Sequence, residues 1–95
     1  MPNQQKTPLD NPLDNRRRRA LFRSQHRGMK ETDVLLGRYA EHHLATMSDD
    51  LLGRFEVLLE ENDNDLFSWI MGREVIPDDA DGALIKLIQI FNKSL

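Results

Sequence analysis

The sequence predicts an all-α protein: a small five-helix bundle behind a disordered N-terminal tail. Two observations carry this. Apolar residues recur at i, i+3 and i+4 in successive segments separated by capping and turn residues, and no run alternates convincingly at period two. Ninety-five residues leave room for one domain, assigned here to residues 16–95, with residues 1–15 as the tail.

Residues 1–15 are polar and contain Pro2, Pro8 and Pro12. They bury too little apolar surface to offset the entropy of ordering them. A first helix is predicted from Arg16 to about Gln25, with Asn15 as N-cap and Ala20, Leu21 and Phe22 on its apolar side. Gly28 interrupts, and a second helix begins near Lys30 or Thr32. Its stripes are Leu35–Tyr39–His43–Met47 and Leu36–Ala40–Leu44. Gly37 weakens this helix and permits close packing against a neighbour.

Ser48 is a good N-cap, with Asp49 and Asp50 in the first turn, where the helix dipole favours anions. Leu51, Leu52, Phe55, Leu58 and Leu59 then form the clearest amphipathic pattern in the chain. Asn62 to Asp65 breaks it, because these side chains compete for the backbone. A short fourth helix is predicted from Asp65 to Met71, with Trp69 in the core and Gly72 ending the helix in the left-handed conformation. After Pro77, Asp78, Asp79 or Asp81 caps a fifth helix, whose buried stripe is Leu84, Leu87, Ile88 and Phe91.

Charge is distributed unevenly. Residues 1–31 carry eight bases and three acids, a surplus of five positive charges, whereas the rest carries five bases and thirteen acids, a surplus of eight negative charges. Such a dipolar chain suits docking in one orientation. Arg16 to Arg19 invite a nucleic-acid reading, but the acidic remainder and the scarcity of aromatics favour contact with an acidic protein surface. These arginines also oppose the dipole of the helix they begin, so something must offset them.

The usual chemical signatures are missing. With no cysteine, thiolate metal sites and thiol nucleophiles are excluded and a reducing compartment fits best. The apolar runs are too short for a membrane span, and the first fifteen residues have no amphipathic transit-peptide pattern, which points to a bacterial cytoplasm rather than a mitochondrial matrix. There is no phosphate loop or dinucleotide fingerprint. His42 and His43 point about 100° apart on a helix and do not easily share a metal. Ser24, Ser48 and Ser68 lack a recognisable base. We therefore expect no catalytic residues, no metal site and no stably bound cofactor. A polar surface favours a monomer that docks onto a larger protein.

Arg27-Gly28-Met29-Lys30-Glu31 stands at the junction of the first two helices. Gly28 permits close backbone approach and unusual torsions, and Met29 offers an adaptable apolar contact. Arg27 and Glu31 place opposite charges on either side. They can pair with each other, making this an ordinary interhelical turn, or act across an interface.

This RGMKE segment resembles the RGxxE motif of the FAD assembly factors of succinate dehydrogenase, the flavinators. The similarity runs from about Ala20 to Gln89. It takes in Tyr39-Ala40-Glu41-His42-His43-Leu44, Met47-Ser48-Asp49-Asp50, Phe55-x-x-Leu58-Leu59, Asp65-Leu66-Phe67-x-Trp69 and Leu87-Ile88-Gln89. Asn64 stands where a proline is common in that family, and Thr32 where an apolar residue is. The resemblance implies a five-helix bundle that binds the flavoprotein subunit of succinate dehydrogenase, and in bacteria fumarate reductase. It also implies that binding promotes covalent attachment of FAD to a histidine of that partner. It assigns partner binding to Arg27, Gly28 and Glu31, with Met29 and Asp33 beside them. The alternative is an antitoxin-like or regulatory module with another target.

Overall fold

The computed structural model describes residues 13–94, which contain helices α1 (Asn15–Gln25), α2 (Lys30–His43), α3 (Asp49–Leu58), α4 (Asp63–Ile70) and α5 (Gly82–Lys93) and no strand. The five-helix expectation holds. The expected disorder of the tail lies, for residues 1–12, outside the described residues.

Helix α1 starts one residue earlier than predicted, and its cap is Asp14 rather than Asn15. The Asp14 carboxylate accepts from the Arg17 backbone N–H at 2.8 Å and pairs with the Arg17 guanidinium at 2.6 Å. That backbone hydrogen bond is the main reason the Asp14 carboxyl lies below the usual carboxylate range. A carboxylate at the cap supplies the negative charge that the arginine-rich first turn calls for. Ala20 and Ser24 form the buried side, whereas Phe22, predicted apolar-side, is 61% exposed and stacks on His26.

Two further arginines of α1 fold back on the chain's own acids. Arg16 grips Glu56 of α3 through Nε and Nη2, at 2.7 to 3.0 Å, which lowers the Glu56 carboxyl's pKa. Arg23 reaches Glu60. Arg17, largely buried, donates to the carbonyls of Leu44 and Met47. Arg16 and Arg23 thus carry part of the basic charge of α1 to acids on α3 and just beyond its end, within the molecule.

Helix α2 is central, packing on α1, α4 and α5. Leu36, Tyr39, Ala40 and Leu44 are buried as predicted, and Gly37 lets α1 approach closely at Gln25. The helix ends at His43 in a 3-10 turn, Leu44–Thr46, so Met47 is buried from an extended residue rather than from the predicted helical stripe. His43 stacks on Tyr39, and His42 and His43 both lie against Phe91. Among the described residues no three His, Cys, Asp or Glu side chains gather as a metal site.

Ser48 caps α3 as predicted, accepting from Leu51 N at 3.1 Å. Helix α4 begins at Asp63, two residues before the predicted start. The Asn62 side chain accepts from Asn64 N and Asp65 N, so the competition for backbone donors that suggested a break in fact caps a helix. At the other end Gly72 has φ +74°, with Gly72 N bonded to Trp69 O and Arg73 N to Ser68 O. This 5→2 and 6→1 pair is a Schellman closure, and the positive φ is what glycine makes inexpensive.

Of the three candidate caps for α5, Asp81 serves. It accepts from Leu84 N at 3.1 Å while Arg54 of α3 binds it through two nitrogens at 2.7 and 3.0 Å. The Arg54 hydrogen bond is the first cause holding the Asp81 carboxyl below its ordinary range. The buried stripe is Leu84, Ile85 and Ile88, with Phe91 half-buried. Leu87, predicted to be core, is 47% exposed. These residues close the core around Leu36, Leu52, Phe55, Leu58 and Leu66.

Candidate docking surface

The junction between α1 and α2 is shaped from three directions. His26 leaves helical geometry at φ −131°, ψ 49°, and Met29 enters α2 from an extended conformation without a side-chain cap. The Asp33 carboxylate reaches back from the first turn of α2 to the backbone N–H of Arg27, and Asp33 N donates to Met29 O at 3.0 Å. Asp33 thereby ties the residue before Gly28 to the first turn of α2. The third direction is α4. The Asp63 carboxylate takes Arg27 Nε on Oδ1 and the Gly28 N–H on Oδ2, the latter at 3.0 Å.

The rest of the Arg27 guanidinium donates to Leu59 O at 2.9 Å and Glu61 O at 2.6 Å, carbonyls beyond the reach of helical hydrogen bonding at the end of α3. Its side chain is only 10% exposed. The sequence offered two uses for Arg27, pairing with Glu31 or reaching across an interface. In the structure its partners are Asp63 and the carbonyls of the α3–α4 junction. Thr32, buried in α2, adds a 3.3 Å bond from its hydroxyl to Asp63 O.

Gly28 does not use a positive φ; among the described residues only Gly72 does. What it needs is room, because an added Cβ would stand 3.3 Å from Asp63 Oδ2. The predicted close approach is therefore to Asp63, within the chain. Gly28 is exposed, Met29 and Asp33 are half-buried, and Lys30 and Glu31 are exposed. Glu31 enters no ion pair among the described residues. The turn thus divides into an anchored inner part, Arg27 with Asp33, and a presented outer part, Gly28 to Glu31.

On one side of the turn lies an open apolar groove of about 360 Å³, lined by Lys30, Glu31, Val34, Leu35, Phe67 and Met71. Val34 and Met71 are exposed there. On the other side a polar cleft of about 290 Å³ runs between the Phe22–His26 stack, Arg27, Gly28 and Asp63. Both are open to solvent. They suit contact with another macromolecule, through a charged, hydrogen-bonding turn flanked by apolar side chains.

The motif residues were legible in the sequence; Asp63 was not, being read as part of a helix break. It lies 36 positions from Arg27. The available signal was chemical: an arginine in a tight junction needs a carboxylate once it is buried.

Comparison with known proteins places the chain in a family. A family model described as the flavinator of succinate dehydrogenase matches residues 18–92, which include the whole turn and Asp63. The chain is 31% identical over 77 residues to succinate dehydrogenase assembly factor 2, mitochondrial, of Dictyostelium discoideum, covering 81% of this chain and 55% of that protein. It is 42% identical over 64 residues to FAD assembly factor SdhE of Acetobacter pasteurianus, covering 67% and 59%. With the assembly factor 2 of Danio rerio it shares 33% identity over 84 residues, covering 86% and 53%. The chain thus spans between half and three fifths of the length of these relatives. With the family model matched over most of the folded residues, this chain belongs to the family of succinate dehydrogenase flavinators.

Proposed function

We propose that the protein is an assembly factor that binds the flavoprotein subunit of succinate dehydrogenase and promotes covalent attachment of FAD to it, with fumarate reductase as a second client in bacteria. The observation that carries this reading is the family match across residues 18–92, within which the RGMKE turn is the presented feature. The names of its relatives, an FAD assembly factor and succinate dehydrogenase assembly factors, support the same role.

In this reading the factor supplies no nucleophile or redox group and holds no FAD of its own; the acceptor histidine and the flavin site belong to the partner. Gly28 is exposed at the contact, Glu31 meets a basic group on the partner, and Met29 packs between them. By favouring a flavoprotein arrangement in which the flavin and the histidine stand in reactive geometry, binding raises the rate of attachment. One monomer engages one flavoprotein. The relatives include a bacterial protein and mitochondrial ones, and the reading applies in either compartment.

The test is in-gel flavin fluorescence of the flavoprotein in cells lacking this protein. Return of the wild type should restore the covalent signal, and return of Gly28→Arg should not. A full signal without the protein would reject the role in that host.

A further inference from the structure

We infer that Asp63 is the positioning residue of the docking turn: its one carboxylate, bonded to both the Gly28 N–H and the Arg27 guanidinium, sets the shape in which Gly28 and Glu31 meet the flavoprotein. This rests on the docking reading above and adds a residue on α4 to it. It also gives Arg27 a different task, since the guanidinium acts from inside the molecule rather than across the interface.

The geometry supports this in three ways. First, the two oxygens of Asp63 are divided, Oδ1 to Arg27 and Oδ2 to Gly28, so one side chain fixes successive residues of the turn. Second, Asp63 stands at the start of α4, where the Asn62 cap and the Thr32 bond to its carbonyl hold its backbone in place. A carboxylate on a fixed backbone is a firm reference point for a turn that has no side-chain cap of its own. Third, Arg27 is tied to Leu59 O and Glu61 O as well, so the turn is registered against the end of α3. Glu31, in no ion pair among the described residues, is left exposed on a braced support.

The discriminating substitution is Asp63→Asn. An amide of the same shape has one acceptor oxygen and one donor nitrogen, so either Gly28 N–H or Arg27 is left facing another donor. The full chain, wild type and variant, is titrated into purified flavoprotein with FAD, below its unfolding transition. Covalent flavin formation is followed against factor concentration. The half-saturating concentration is expected to rise about tenfold, the usual consequence of losing one hydrogen bond to a charged group, while the maximal rate is kept. Hydrogen exchange at the Gly28 amide is expected to speed up in parallel. Loss of stability alone leaves the half-saturating concentration unchanged while the variant remains folded, and it speeds exchange at core amides as well as at Gly28, whereas loss of the brace speeds it at the turn.

Gly28→Arg is the control for the docking reading. If Asp63→Asn titrates as wild type while Gly28→Arg loses activity, the positioning role fails and the docking reading stands. If Gly28→Arg also titrates as wild type, the docking reading fails. Should Asp63→Asn not fold, Asp63→Glu keeps the charge but moves the carboxylate by one methylene. It too is expected to raise the half-saturating concentration, and wild-type behaviour in it would overturn the inference.

Discussion

Replacing Arg27 by alanine separates an anchored arginine from one that waits for a partner. In the structure the guanidinium holds Asp63 and the carbonyls of Leu59 and Glu61, and its side chain is 10% exposed against 22% for Asp63. Removing one member of a buried ion pair typically costs about 3–5 kcal/mol, because the other charge is stranded. Asp63 retains some contact with water and the vacated space admits more, so the expected loss is lower, about 2–3 kcal/mol. In a domain of this size that corresponds to a fall in Tm of about 10–20 °C. Urea unfolding followed by circular dichroism measures it, with Glu31→Ala alongside. The exposed Glu31, unpaired within the described residues, should change stability by less than about 0.5 kcal/mol. Equal midpoints and slopes for Arg27→Ala and wild type would refute the anchoring argument.

Three further outcomes follow from the same geometry. The Asp81 carboxyl is depressed chiefly by Arg54 and, by linkage, adds stability above the ordinary aspartate value of about 3.9 that disappears as pH falls through the lower folded value. Asp81→Asn should therefore make the acid limb of the stability profile shallower than in wild type, and an identical limb would contradict the pairing. Gly72→Ala meets no atom within 4 Å, so its cost is that of the left-handed backbone, about 1 kcal/mol in urea unfolding, and a neutral result would contradict the Schellman closure. Ile85→Ala should cost about 2–5 kcal/mol and Leu87→Ala less than about 1 kcal/mol, and the reverse ranking would reinstate the stripe expected from sequence.

The helices themselves were readable because their signals are local. The Ser48 cap, the leucine stripe of α3 and the closing Gly72 each depend on neighbours within a few positions. Errors arose where one local pattern allows two outcomes. Asn62 to Asp65 can break a helix or cap one, and the free donors of Asn64 and Asp65 decide for the cap. In α5 either Leu87 or Ile85 can join Leu84 and Ile88 on one face at helical spacing, and the docking of α5 on α2 and α4 selects Ile85. The candidate site follows the same division. Its RGMKE segment is contiguous and stood out, whereas the brace at Asp63 depends on a tertiary approach that periodicity does not encode. The partners of Arg16 and Arg23 were hidden for a related reason, since Glu56 on α3 and Glu60 just beyond its end are remote in sequence.

The central claim is that the presented turn drives covalent flavinylation of the partner. Its most direct test is reconstitution: purified flavoprotein lacking covalent flavin, incubated with FAD alone, with wild-type factor, or with the Gly28→Arg variant. The account expects covalent flavin to form faster with wild type than with FAD alone, and Gly28→Arg to give no acceleration while remaining folded. Equal rates in all three incubations would contradict it.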